Sequence, residues 1–252
     1  MSLESDVGNL VTQATSLIDY FKTRKAGIDA SVAAAIAAVP AMNRTWYVDQ
    51  VSGLDTNDGS AAAPFKTVGK AMASTPANGI CFVNLLSDYN FNDTTALTVG
   101  YLVLNGNGAT RKLYPKYYQT VDGQGVTATV LGGFSASSVG YTVEIRGSEI
   151  VLPSPAGQVP APNVTRSNSF VRTNSGSNLP PYVSLVLQAP VITMASDFYG
   201  ALIGLSASSA ILSVSGGTIP TAMLGHYLSN VGTPAGTDPK TLNYVLTNLS
   251  AI

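Results

Sequence analysis

Apolar residues at Leu3, Val7, Leu10, Ala14, Leu17 and Phe21 alternate in steps of four and three, the hydrophobic seam of an α-helical coiled coil. Ser, Asp, Asn, Gln, Thr and Lys fill the other face. The same spacing also suits an amphipathic helix packed on its own domain, but here it comes ahead of a proline, Pro40, which favours a helix that associates with other chains. Arg24 and Gly27 interrupt the seam, which resumes at Ile28, Val32, Ala35 or Ile36, and Val39, so a break near Gly27 is expected. Residues 1–39 therefore read as an oligomerisation and attachment stalk, and residues 40–45 as a linker. The mixture of Leu, Val, Ile, Ala and Phe along the seam does not fix the number of strands.

From Trp46 the period changes. Short apolar or alternating runs at 46–48, 80–86, 97–104, 126–131, 141–145, 183–187, 201–205 and 211–214 are separated by turn signals such as Asn105-Gly106-Asn107-Gly108, Asp122-Gly123, Gly132-Gly133 and Ser215-Gly216-Gly217. This predicts a mostly β body over residues 46–224. Periodicity alone leaves a sandwich and a parallel β-helix both open. Residues 153–181, with Pro153, Pro155, Pro160, Pro162, Pro180 and Pro181, predict a long excursion without strands. Residues 225–252, with the run 242–246, are expected to close the base of the body or the trimer.

Charge narrows the function. The chain carries 13 basic and 14 acidic residues, a net charge of −1, which argues against a nucleic-acid partner. Only 11% of its residues are charged, against about 25% in an ordinary soluble domain, so its surface is one of hydroxyls and amides. The single cysteine, Cys81, sits in the apolar run Ile80-Cys81-Phe82-Val83 and reads as core. No basic start followed by an apolar stretch of about 7 to 15 residues suggests a signal peptide. The Ala-rich segment 30–39 is too short to insert in a membrane.

The most specific text is Trp46-Tyr47-Val48-Asp49, then Gly53-Leu54-Asp55-Thr56-Asn57-Asp58-Gly59-Ser60, then Pro64-Phe65-Lys66-Thr67-Val68-Gly69-Lys70-Ala71-Met72. It resembles the opening of right-handed parallel β-helix proteins of the pectate-lyase-like class, in which a strand, a GxDxNDG turn, PFKT and a short helix cap the solenoid. Trp46, Tyr47, Asp55, Asn57, Asp58, Gly59 and Phe65 are then structural: the acids and amide support turns, and Phe65 plugs the open end. Val68, Ala71 and Met72 would form the inner face of the capping helix. An EF-hand is excluded, because the fifth position counted from Asp55 is Gly59 and the twelfth is Lys66. A helical seam leading directly into such a cap is similar to bacteriophage tailspikes and tail fibres. That resemblance implies a homotrimer, with the seam Leu3, Val7, Leu10, Ala14, Leu17 and Phe21 at its axis. It also implies a virion protein made in the host cytoplasm, joined through its N-terminus to a baseplate or tail protein, that recognises a host surface polysaccharide.

Tailspikes sometimes cleave the glycan they bind, which takes two carboxylates roughly 5 to 9.5 Å apart or a base with a neutralising partner. Beyond the cap Glu144 and Glu149 are the acids read as a close pair, and Glu144 with Arg146 reads as an exposed ion pair. His226, the sole histidine, has no triad or zinc-ligand spacing around it. No catalytic residue, metal set or cofactor is read from the sequence. The expectation is glycan binding without cleavage, with a depolymerase and a structural fibre connector as alternatives. Sugars stack on aromatic rings and pair with amides and charges, so Arg111, Lys112, Tyr114, Lys116, Tyr117 and Tyr118, placed in a loop, are the leading receptor site, one suited to an acidic glycan. Asp197-Phe198-Tyr199 is the second.

Overall fold

The computed structural model describes residues 2–122, 124–137, 140–173, 182–229 and 233–252. Met1, Gly123, Pro180, Pro181 and the side chain of Val39 lie outside the described residues. The chain divides into two units, 1–42 and 43–252. It is mostly β, with one long N-terminal helix and parallel sheets.

The first unit is helix α1, Leu3–Ala41, 39 residues, which at about 1.5 Å per residue is about 58 Å long. The expected break at Gly27 does not occur. One glycine costs a helix only about 1 kcal/mol, and the Ser31 hydroxyl donates back to the Gly27 carbonyl at 2.8 Å across that turn. Thr12, Thr15 and Thr23 make the same bond to the carbonyls of Gly8, Val11 and Asp19, which absorbs hydroxyls that would otherwise compete with the helix. The helix passes Pro40, and the linker expected at 40–45 is reduced, because strand β1 begins at Asn43. Pairing with a neighbouring strand supplies Asn43, Arg44 and Thr45 with partners that a linker lacks.

The second unit opens with β1 (Asn43–Val48) and helix α2 (Val68–Ala73), whose buried side chains are Val68, Ala71 and Met72. The chain then makes repeated circuits, each giving one strand to sheet A, one to sheet B and one to sheet C. The first circuit is β2 (Ile80–Leu85), β3 (Tyr89–Phe91) and β4 (Thr94–Ala96). In the second, β5 (Tyr101–Asn105) and β6 (Arg111–Pro115) are followed by an antiparallel hairpin, β7 (Tyr117–Val121) and β8 (Thr127–Leu131), before β9 (Gly133–Ala136). Next come β10 (Tyr141–Arg146), β11 (Ser148–Leu152) and β12 (Ser169–Thr173), then β13 (Tyr182–Gln188), β14 (Val191–Met194) and β15 (Ala201–Gly204). In the last, β16 (Ser209–Ser215) leads through single bridges at Thr218 and Leu228 to β17 (Val245–Thr247), which pairs with β16 and ends sheet A.

Every pairing within sheets A, B and C is parallel. Because side chains alternate along a strand, Cys81, Val83 and Leu85 of β2 point inward with Leu102 and Leu104, Val143 and Ile145, and Val183, Leu185 and Leu187 of the strands stacked beside them. Phe91, Phe134 and Phe170 meet in the interior with ring centroids 5.1 to 5.8 Å apart. The Gly132-Gly133 pair is explained by this crowding: a Cβ on Gly132 would lie 1.9 Å from the Phe91 carbonyl oxygen. Burial makes Cys81 a core residue and pushes its thiol up to about 11. The excursion expected at 153–181 is interrupted: 153–168 runs without a strand, ending in a 3-10 turn, but Ser169-Phe170-Val171-Arg172-Thr173 is strand β12, buried throughout, and residues 174–181 lie outside the described residues.

Candidate functional site

The cap segment uses its polar groups on itself. The Asp55 carboxylate accepts from the backbone N–H groups of Lys66 and Thr67 at 3.0 and 2.9 Å and from the Thr67 hydroxyl at 2.9 Å. The Asn57 amide donates to the Pro64 carbonyl at 2.9 Å. The Ser60 N–H and hydroxyl hold the Asp58 carboxyl below the usual carboxylate range. Tyr47 N–H donates to the Gly59 carbonyl, and Trp46 Nε1 to the Thr75 hydroxyl, both at 2.9 Å. Phe65, only 2% exposed, lies 5.2 Å from Trp46 between ring centroids. Gly59 has φ +79°, and a Cβ there would stand 2.4 Å from the Phe65 ring. These residues are architectural.

The Arg111–Tyr118 cluster is not a loop but two strands, β6 and β7. Leu113 and Pro115 turn inward, so Lys112 and Tyr114 share the outward face of sheet B, with Lys116 exposed just beyond. Lys112 Nζ lies 3.3 Å from Glu149 Oε2, which holds the ammonium above its usual range, and Lys116 Nζ sits 4.7 Å from the Tyr114 ring centroid. Arg111 is on the inward phase, and its Nε is buried with no hydrogen-bond partner.

The two tyrosines of β7 go separate ways. The Tyr117 hydroxyl donates to the Tyr199 carbonyl at 2.7 Å and accepts from the Tyr199 N–H at 3.2 Å, so the second candidate, Asp197-Phe198-Tyr199, is tied to the first. Burial pushes Tyr117 up to about 12. Phe198 is buried against His226, and Asp197 accepts from the Ser154 hydroxyl at 2.7 Å. This turn is a clasp. Tyr118 instead bonds the Thr94 hydroxyl at 2.5 Å, and Thr94 also accepts from the guanidinium of buried Arg172.

Thr94 lies on the wall of a groove of about 450 Å³ whose polar lining includes Gln50, Lys66, Asn90, Asn92 and Asp93. Asn90 pairs in register with Tyr114 of β6. Tyr114 and Tyr118 do not line the groove but each neighbours a lining residue, Asn90 in register and Thr94 through its hydroxyl. Gln50 fixes the floor: its Oε1 accepts from the Asn90 N–H at 2.7 Å and its Nε2 donates to the Asn90 carbonyl at 2.9 Å. Sequence reasoning missed this groove. The signal present was the run Asn90–Thr95, dense in amides and hydroxyls.

Glu144 and Glu149 make separate ion pairs, with Arg146 and Lys112. Glu144 and Glu149 fall on β10 and β11, in different sheets. Glu144 is not an exposed ion-pair member: its side chain is 1% exposed, with Arg146 Nε at 2.5 Å and the Tyr101 hydroxyl donating at 2.5 Å. Burial works to raise its carboxyl, but the bonds from Arg146 and Tyr101 outweigh that and hold it below the usual range. Tyr101, half-buried against that carboxylate, is pushed up to about 12. Asp93 is the one carboxylate that lines the groove. Among the described residues no group of three or more His, Cys, Asp or Glu is placed to hold a metal ion.

No protein-family model, curated protein or solved structure matches the chain.

Proposed function

We propose that this chain is a bacteriophage tail fibre or short tailspike that attaches a virion to a host surface glycan without cleaving it. The observation that carries the reading is the groove of about 450 Å³, lined by amides and hydroxyls and holding one carboxylate, with Tyr114 and Tyr118 next to its lining residues Asn90 and Thr94. A glycan offers hydroxyls to the amides and apolar ring faces to the tyrosines, whereas hydrolysis requires a second acid that the groove does not hold.

In this reading the repeated order of sheets A, B and C is a right-handed parallel β-helix, closed at its start by Phe65 and α2 and at its end by β17. The circuits of parallel strands support it, because parallel crossovers are right-handed in nearly all proteins. The stalk is a trimeric coiled coil, supported by the exposure of Leu3, Val7, Leu10, Leu17 and Phe21 along α1, and it joins the fibre to a baseplate or tail protein. Among the described residues no helix is long and apolar enough to cross a membrane.

The test is adsorption to host cells and to purified surface polysaccharide, with the polymer sized before and after incubation. Binding with unchanged polymer length is expected. New reducing or unsaturated ends would overturn the non-catalytic reading, and Asp93→Asn, not a change at Glu144, is then the first variant to assay.

A further inference from the structure

The outward faces of the three sheets meet different surroundings. Sheet C is covered by its own chain: every residue of β12 and β15 is buried, and the hairpin β7–β8 joins the 153–168 segment through the Thr129 hydroxyl on the Pro160 carbonyl and the Gln119 amide on the Val159 carbonyl. Sheet B presents the Lys112–Glu149 pair, exposed Lys116 and the rim of the groove. Sheet A, the widest with seven strands, turns out Ile80, Phe82, Val186, Ile211 and Leu246 in alternation with inward core residues.

Among the outward-phase strand residues of that face, Glu144 and Arg146 are the only charged ones, and they neutralise each other at 2.5 Å, with the Arg146 guanidinium 5.4 Å from the Phe82 ring centroid. The face therefore carries neither net charge nor an unpaired ion. That property suits one occupant in particular. A face turned towards a symmetry axis meets copies of itself, so a net charge on it would stand against the same charge. Size agrees: strands about 4.8 Å apart and rows spanning about 20 Å give a footprint of roughly 600 Å². Two such faces bury about 1,200 Å², the lower end of the range for stable interfaces.

We propose that the outward face of sheet A is a contact surface between copies of this chain. The inference rests on the self-association in the reading above and adds a second surface to the helical seam.

Thiol labelling of the full chain tests it. Cys81 is 0% exposed and stays silent, so one introduced cysteine reports alone. Leu246→Cys places it on the sheet A face, at a position 69% exposed in the single chain, and Thr193→Cys places it at an exposed position on sheet B. Maleimide labelling of Leu246→Cys about tenfold slower than of Thr193→Cys is expected, in a species that light scattering reports as an oligomer. Adding Val186→Arg should restore the rate. An oligomer in which both positions label equally fast overturns the face while leaving the seam-based trimer standing. Protection in a species of 26.0 kDa also overturns it, since the chain then covers the face itself. Glycan adsorption, read separately, is independent of either outcome.

Discussion

The Trp46–Met72 segment and strands β6 and β7 are both rich in aromatic and polar side chains, yet they direct them oppositely. In the first, Asp55, Asn57 and Asp58 all bond to backbone or hydroxyl groups within the segment, and Phe65 fills the space that Gly59 leaves. In the second, Lys112, Tyr114 and Lys116 face away from the core and touch one another or a neighbouring strand. Density of polar groups does not mark a site. Where those groups point does.

Substitutions sharpen this contrast. Phe65→Ala should cost roughly 3 to 5 kcal/mol, as for a buried phenylalanine, and lower the melting temperature of the body by roughly 6 to 20 °C. A thermal scan that overlays wild type would remove Phe65 from the plug. Asp58→Ala leaves the Ser60 N–H without its carboxylate and should lower the melting temperature less than Phe65→Ala does, with glycan adsorption retained, since neither residue lines the groove. Loss of adsorption in a folded Asp58→Ala variant would place binding chemistry in that turn and erase the distinction.

On the other side, Tyr114→Ala should weaken adsorption by about 1 kcal/mol through the lost stacking contact, with the melting temperature held. A variant that melts early while binding normally would make Tyr114 structural and leave Tyr118 to carry the groove. Smallest of all, Lys112→Ala should leave the melting curve in place, because an exposed ion pair contributes little. Measured across a salt series, its adsorption should lose part of its salt dependence if the glycan is acidic. An identical salt slope would restrict the site to neutral contacts.

What could be read in advance follows from how local each signal is. The α1 seam repeats within one element, so its spacing sufficed. The apolar runs at β2, β10 and β13 stood out because a fully buried inner face needs continuous β-branched and aliphatic residues. Parallel stacking was expected only through the resemblance carried by Trp46–Met72 and not from periodicity, since partners such as Glu144 and Val186 are a whole circuit apart. Strands β3, β4 and β14 have only three or four residues and carry no period. For β6, the alternation Lys112-Leu113-Tyr114-Pro115 was the legible clue to a half-buried strand, masked by its charges and its proline. The link between Tyr117 and Tyr199 spans 82 residues, which no local pattern encodes.

Two departures from the circuits among the described residues, the β7–β8 hairpin and the 153–168 segment, open at the same corner, between the sheet B and sheet C strands of successive turns. Extra residues at such a corner leave the register of every stacked strand unchanged, whereas one residue added within a strand would reverse its inward and outward side chains. Length and composition at this corner can therefore diverge between otherwise identical molecules. Grafting a different hairpin tip between Thr120 and Ala128 alters the outer surface while buried Leu131, the Tyr117–Tyr199 link and the column of inward side chains stay as before.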